Sequence, residues 1–334
     1  MFEKLGTPRF IAEARMQGKL YSPLAVFLIF LLLFGIGNLL ASALLAPVTY
    51  ILMLTDPAYY EVVNGEYATT EEMAEQIALY AESLAARPAV VIASLFATAA
   101  TVAACLIFCK LIEKRSLASM GLTRKGAVPA YLRGLALGLL LFAVAIGFSY
   151  LFGAVRFTGV NPDFDPLLFI LLFLGYLIQG FSEELLCRGM LMVTTAKTSR
   201  LSFALSVSAF SFAALHAANT GFAPLPFINL ALFGFLMGLY MIRGGSIWGA
   251  AALHSVWNFA EGVLTGFSVS GMKMPTHLLS VLPTEGKELF IGGAFGPEGG
   301  LGVTFALSVA LALFAMAKTK LADTEEPVSN PENK

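Results

Sequence analysis

Charge is what this chain has least of. Asp, Glu, Lys and Arg make up 13% of its 334 residues, about half the share found in an ordinary soluble domain, and this excludes a conventional water-soluble globule. The formal net charge is -1, so there is no bulk attraction for nucleic acid or for an acidic partner, and no nucleic-acid partner is expected. Cysteine is scarce too: Cys105, Cys109 and Cys187 all lie in apolar stretches. An odd count without extracellular spacing argues against a disulfide framework and predicts three reduced thiols. Several hydrolase signatures are missing as well. No HExxH exists, since His216 is followed by Ala217, His254 by Ser255 and His277 by Leu278. Gly180-Phe181-Ser182-Glu183 has no glycine where a serine nucleophile elbow needs one, and there is no pair of intramembrane aspartates for an aspartyl mechanism.

What is abundant is apolar sequence: 57% of residues are hydrophobic and the mean hydropathy is +0.78. A transmembrane helix needs about 20 mainly apolar residues. Eight stretches qualify, at 24–54, 88–112, 131–153, 166–192, 202–218, 224–242, 246–266 and 300–317. The first contains Pro47 and is too long for a signal-peptide core of about 7–15 residues, so an uncleaved span is expected. With a cytoplasmic N-terminus and each span reversing direction, the outer side receives only Arg87, Arg156, Lys273 and Lys287. Arg188 stays within a span, and the other Lys and Arg residues, Lys4, Lys318, Lys320 and Lys334 among them, fall on the cytoplasmic side. That asymmetry is the positive-inside pattern. The expected fold is therefore an all-α, polytopic transmembrane helix bundle of about eight spans, with both termini cytoplasmic, in a bacterial cell membrane.

The segments between spans differ in character. A cytoplasmic segment 1–23 precedes the N-terminal helices of 24–112. These enclose an acidic outer loop at 55–87 that contains Asp56, Glu61, Glu66, Glu71, Glu72, Glu75 and Glu82, with a weakly helical pattern at 70–85. Residues 113–266 form the expected catalytic core, opening with a basic cytoplasmic loop (Lys114, Arg115, Arg124, Lys125) suited to anionic lipid. An outer loop follows at 267–299, then the last span at 300–317. The polar tail 318–334 is expected to be disordered.

Ionisable side chains inside a span are costly, so they face the bundle interior and mark function by default. The fourth span carries Glu183, Glu184 and Arg188, the fifth His216, and the seventh His254, Asn258 and Glu261. Glu184 and Arg188 are four apart and can pair on one helix face. His254, Asn258 and Glu261 form a single stripe. From the cytoplasmic end of its span, Glu183 is about 13 Å deep, His254 about 12 Å and His216 roughly 20 Å. A desolvated carboxylate can act as general base towards water, while His and Asn can donate hydrogen bonds to an oxyanion. Two histidines with a carboxylate also match a catalytic Zn2+ site with an open position. Both routes lead to peptide hydrolysis, and the residues alone do not choose between them. Cys187, one turn after Glu183, is more simply a small hydrophobe than a nucleophile. Singly, each polar residue has a packing explanation as an ion pair or an interhelical hydrogen bond.

The order Glu183-Glu184-x-x-x-Arg188, Phe212-x-x-x-His216, His254-x-x-x-Asn258 resembles the three motifs of the CPBP family, over about residues 115–265. These are the CAAX-prenyl-endopeptidase-like and bacteriocin-processing membrane proteases, also called the Abi family. The resemblance implies an intramembrane endopeptidase that hydrolyses a membrane-associated or lipidated peptide or protein, with a site open to the cytoplasm and the bilayer. It implies Glu183 as water-activating base and Glu184 with Arg188 as its supporting pair. His216 and His254 would bind the water, and Asn258 would help hold the oxyanion. In a metal-dependent form the ligands would be Glu183, His216 and His254. Glu261 stands outside the pattern and is placed behind the site. Two other readings remain: a non-catalytic immunity or scaffold protein of the same family, and a transporter using the polar cluster as a relay. The lack of internal repeats weakens the transporter reading.

Overall fold

The computed structural model describes residues 7–316; Lys4, the lysines after residue 317 and the expected disordered tail lie outside the described residues. Each of the eight apolar stretches is helical. A short helix α1 (Arg9–Met16) precedes α2 (Pro23–Thr55). The acidic outer segment contains α3 (Pro57–Val63), which was not expected, and α4 (Thr70–Ala85), over the stretch whose pattern reads as weakly helical. Then come α5 (Pro88–Ile112), α6 (Ala127–Leu151) and α7 (Pro166–Thr198), followed by α8 (Leu201–Leu215), α9 (Pro224–Gly244) and α10 (Trp248–Phe259). The last helix is α11 (Leu301–Met316). Proline at the first helical turn opens α2, α5, α7 and α9, where its missing N–H has no intrahelical partner to lose. The Ser22 hydroxyl caps α2 by accepting from Ala25 N at 3.3 Å. Asp165 caps α7 by accepting from the amides of Leu167 and Leu168 at 2.8 and 3.0 Å, which satisfies two of the free donors of that end.

Among the described residues, five helices are long and apolar enough to cross a membrane: α2, α5, α6, α7 and α9. The other three expected spans are shorter. Helix α8 has 15 residues and α11 has 16, about 22 to 24 Å of helix against a hydrocarbon core of about 30 Å. They lie alongside longer neighbours: α8 packs on α9, and α11 packs on α6 and α9. Helix α10 is sandwiched between α6 and α7, and all of its residues from Gly249 to Phe259 are buried.

The chain is not purely α. Val155–Val160 (β1) pairs antiparallel with Leu279–Pro283 (β2), with a bulge between Phe157 and Gly159. Gly159 has φ +129°, a backbone conformation that glycine adopts cheaply. This ribbon joins the loop after α6 to the loop expected at 267–299. Sequence periodicity missed it because each strand is too short, at six and five residues, to rise above the apolar helices around it.

A second departure concerns the basic loop. Arg115 is turned inward and 2% exposed. Its guanidinium pairs with Glu113 at 2.5 Å and reaches Thr194 at 3.1 Å and Ser119 at 3.3 Å. Lys197 lies 3.6 Å from Glu113 and donates to the Lys19 carbonyl at 2.6 Å. These bonds, with Phe10, Ile11 and Ala14 of α1 buried beside them, lock the N-terminal helix onto the end of α7. Cys105, Cys109 and Cys187 are free thiols, all buried.

Candidate active site

Two helices bring the site together, and a glycine lets them approach. A Cβ built on Gly180 of α7 would lie 2.6 Å from Ser255 Oγ and 2.7 Å from Ser255 N on α10, so only a hydrogen fits. Gly180→Val is expected to force the helices apart and destabilise the protein by about 1–3 kcal/mol. A lowered unfolding midpoint in a detergent titration is the measurement; an unchanged midpoint would show that the interface can give. Next to this contact both helices widen into π-turns, Leu185–Met192 after Glu184 and Ala260–Leu264 after Asn258, a distortion often found at functional sites.

Glu184 is fully buried, and its Oε1 is shared. Arg188 Nη1 donates to it at 2.9 Å, and His254 Nδ1 lies 2.9 Å away. Arg188 is equally buried; it also donates through Nη2 to the Gly234 carbonyl at 3.2 Å, and its guanidinium lies 4.7 Å from the Phe212 ring centroid. A carboxylate can only accept, so the Nδ1 position of His254 carries the proton of this bond. That fixes the ring and aims Nε2 at Glu183 Oε2, 3.5 Å away, too far for a direct N–H···O bond but close enough for both groups to face one small reactant. Phe212 and Phe233 hold the imidazole edge-on at centroid distances of 5.6 and 5.1 Å.

Glu183 differs from its neighbour in access: its side chain is 29% exposed, against 0% for Glu184. Its Oε1 accepts from Gln179 Nε2 at 2.6 Å, and Gln179 Oε1 accepts in turn from Asn258 Nδ2 at 3.0 Å. Glu183, Gln179 and Asn258 therefore form a hydrogen-bonded chain across the two helices, with His254 facing its Glu183 end and with the buried Glu183 Oε2 and Asn258 Oδ1 making no protein hydrogen bond. Gln179 was not among the residues expected from sequence. Its signal was available: an amide one turn before Glu183 on the same face, in an otherwise apolar run.

The other expected residues fall elsewhere. His216 ends α8 as its C-cap rather than lying inside the helix, half-buried, with Nδ1 2.9 Å from the Phe212 carbonyl. Its ring lies 4.9 Å from that of Phe212, which in turn lies 5.6 Å from that of His254. Glu261 belongs to a different cluster: its Oε1 accepts from Glu298 N at 3.3 Å, and the Glu298 carboxylate takes the Ser270 hydroxyl. It anchors the outer loop to the end of α10. Cys187 is fully buried in the core. His277 lies in the loop and gives its carbonyl to Asn161 Nδ2 at 3.1 Å. Among the described residues no three His, Cys, Asp or Glu side chains come together so as to hold a metal ion. Glu183 and His254 meet, while His216 bonds through Nδ1 to the Phe212 carbonyl, a contact that leaves its Nε2 open to a ligand; no step is derived through a metal.

What this geometry defines is a membrane-embedded helical bundle with a paired-carboxylate and histidine centre. Residues 165–260 match the family model described as Type II CAAX prenyl endopeptidase Rce1-like, in agreement with the resemblance to CPBP proteases seen in the motifs. The matched stretch begins at the cap of α7, ends just after α10, and contains all three motifs. No curated protein and no solved structure is a significant match to the chain.

Proposed function

We propose that the protein is an intramembrane endopeptidase that hydrolyses a peptide bond of a membrane-associated or lipidated substrate, with Glu183 activating the water. The observation that carries this reading is the contrast between two adjacent glutamates. Glu184 is sealed between Arg188 and His254, whereas Glu183 is partly accessible and has one oxygen facing His254 Nε2. In this mechanism Glu183 Oε2 takes a proton from water as its oxygen attacks the carbonyl carbon. The second Asn258 N–H and the Nε2–H of a His254 ring protonated on both nitrogens support the developing oxyanion. Glu183 then returns the proton to the leaving amine as the C–N bond breaks. The eight-span topology, with both termini and the site opening on the cytoplasmic side, belongs to the same proposal and is supported by the Lys and Arg asymmetry.

The test is a paired assay in proteoliposomes. Wild type and Glu183→Ala are incubated with lipid-anchored peptides, products are read by mass spectrometry, and metal content is measured on the same preparations. Cleavage by wild type alone supports the reading, and stoichiometric zinc in the active protein would bring His216 into a metal-dependent version of it. Equal behaviour of the two proteins, with no cleavage by either, would favour the non-catalytic scaffold role.

A further inference from the structure

We propose that the protein carries a dedicated binding site for an anionic phospholipid, on the face of α7 opposite the glutamate site. A cavity of about 1070 Å³ opens beside α1 at the start of α6, and Arg9, Lys110, Arg124, Lys125 and Arg133 line it. Among the described residues lining it Glu13 is the one carboxylate, and its Oε1 already accepts from Ser116 Oγ and Gln17 Nε2. Helix α6 begins at Gly126 without a side-chain cap, so the positive end of a 25-residue helix faces the same space. A cavity with this charge suits a phosphate-bearing ligand.

A second cavity states what the rest of that ligand must be. It is a groove of about 420 Å³ between α5, α6 and α7, lined by apolar side chains such as Val102, Ala103 and Ile178. The two cavities share Leu106, Phe181 and Trp248. Phe181 and Trp248 stack at 5.5 Å and 8°, and the indole N–H of Trp248 is held by the Thr123 carbonyl at 2.7 Å. This aromatic pair marks the boundary between a basic chamber and an apolar slot, which is where a phospholipid changes from headgroup to acyl chain. The site is separate from the catalytic one. Phe181 follows Gln179 by two residues, about 200° around the helix at 3.6 residues per turn, so the groove and the Gln179–Glu183 face point in opposite directions.

Delipidated full-length protein would be titrated with phosphatidylglycerol, with phosphatidylcholine of the same chains and with inorganic phosphate, and occupancy read by native mass spectrometry. Phosphatidylglycerol is expected to bind at least about tenfold more tightly than phosphatidylcholine. The triple variant Arg124→Gln/Lys125→Gln/Arg133→Gln changes exposed side chains only. It should weaken phosphatidylglycerol roughly a hundredfold, at about fivefold per cation, while the corresponding Arg124→Lys/Arg133→Lys protein keeps binding. Ala103→Trp fills the slot and should weaken the lipid without affecting phosphate. Equal affinity for the two lipids, or no loss in the triple variant, would overturn the proposal. Phosphate matching phosphatidylglycerol, with Ala103→Trp silent, would replace it with a plain anion site.

Discussion

Glu183→Gln should lower kcat by about 10²–10⁴-fold, the usual contribution of a positioned general base, with KM nearly unchanged. The isosteric amide keeps the side chain in place and can still meet Gln179, so the loss isolates proton transfer from shape. Gln179→Leu is the informative comparison. It removes the bond to Glu183 at 2.6 Å and the link to Asn258 at 3.0 Å while leaving the carboxylate itself intact. A misplaced base of this kind should cost roughly 10–100-fold. Steady-state kinetics on one cleavable peptide in proteoliposomes measure both. A Glu183→Gln enzyme within tenfold of wild type would remove Glu183 from the role of base.

The meeting of Glu183, Glu184, Arg188 and His254 was legible in the sequence for a physical reason. Burying Glu184, Arg188 or His254 in an apolar span is so unfavourable that the mere presence of these residues announces a shared purpose. Their i, i+4 spacing then puts Glu184 and Arg188 in contact without any knowledge of tertiary structure. What spacing could not show is which partner each group takes. Phe212 was visible only as a motif position, yet its ring contacts the Arg188 guanidinium and both the His216 and His254 rings. Glu261 shares the helical stripe of His254, but the π-turn beginning at Ala260 and the Glu298 backbone amide direct it to the outer loop.

Outside the site, the apolar runs located α2 and α5 to α11, because lipid leaves the backbone no other way to satisfy its donors and acceptors. The errors arose where water or protein replaces lipid. The β1–β2 ribbon and the inward turn of Arg115 towards Thr194 depend on contacts distant in sequence. Arg115 illustrates the difficulty: in a basic run next to Lys114 it reads as a lipid-facing cation, whereas its partner Thr194 is 79 residues away.

Arg188→Met should be the most destabilising substitution in the site. The guanidinium makes two hydrogen bonds, to Glu184 and to the Gly234 carbonyl on α9, so its loss removes a link between helices and leaves a fully buried carboxylate without its counter-charge. Breaking such a pair costs about 3–5 kcal/mol. The double variant Glu184→Gln/Arg188→Met removes both charges, and replacing a whole buried pair is often close to neutral. It should therefore be more stable than the single variant although it carries one more change. Activity should behave differently. The double variant still lacks the carboxylate that orients His254 through Nδ1, so it should be folded but inactive. Denaturant unfolding followed by the fluorescence of buried Trp257, alongside peptide cleavage by the same samples, separates the two effects. A single variant as stable as the double would mean that Glu184 finds enough compensation in His254 alone, and the ion pair would then serve orientation rather than stability.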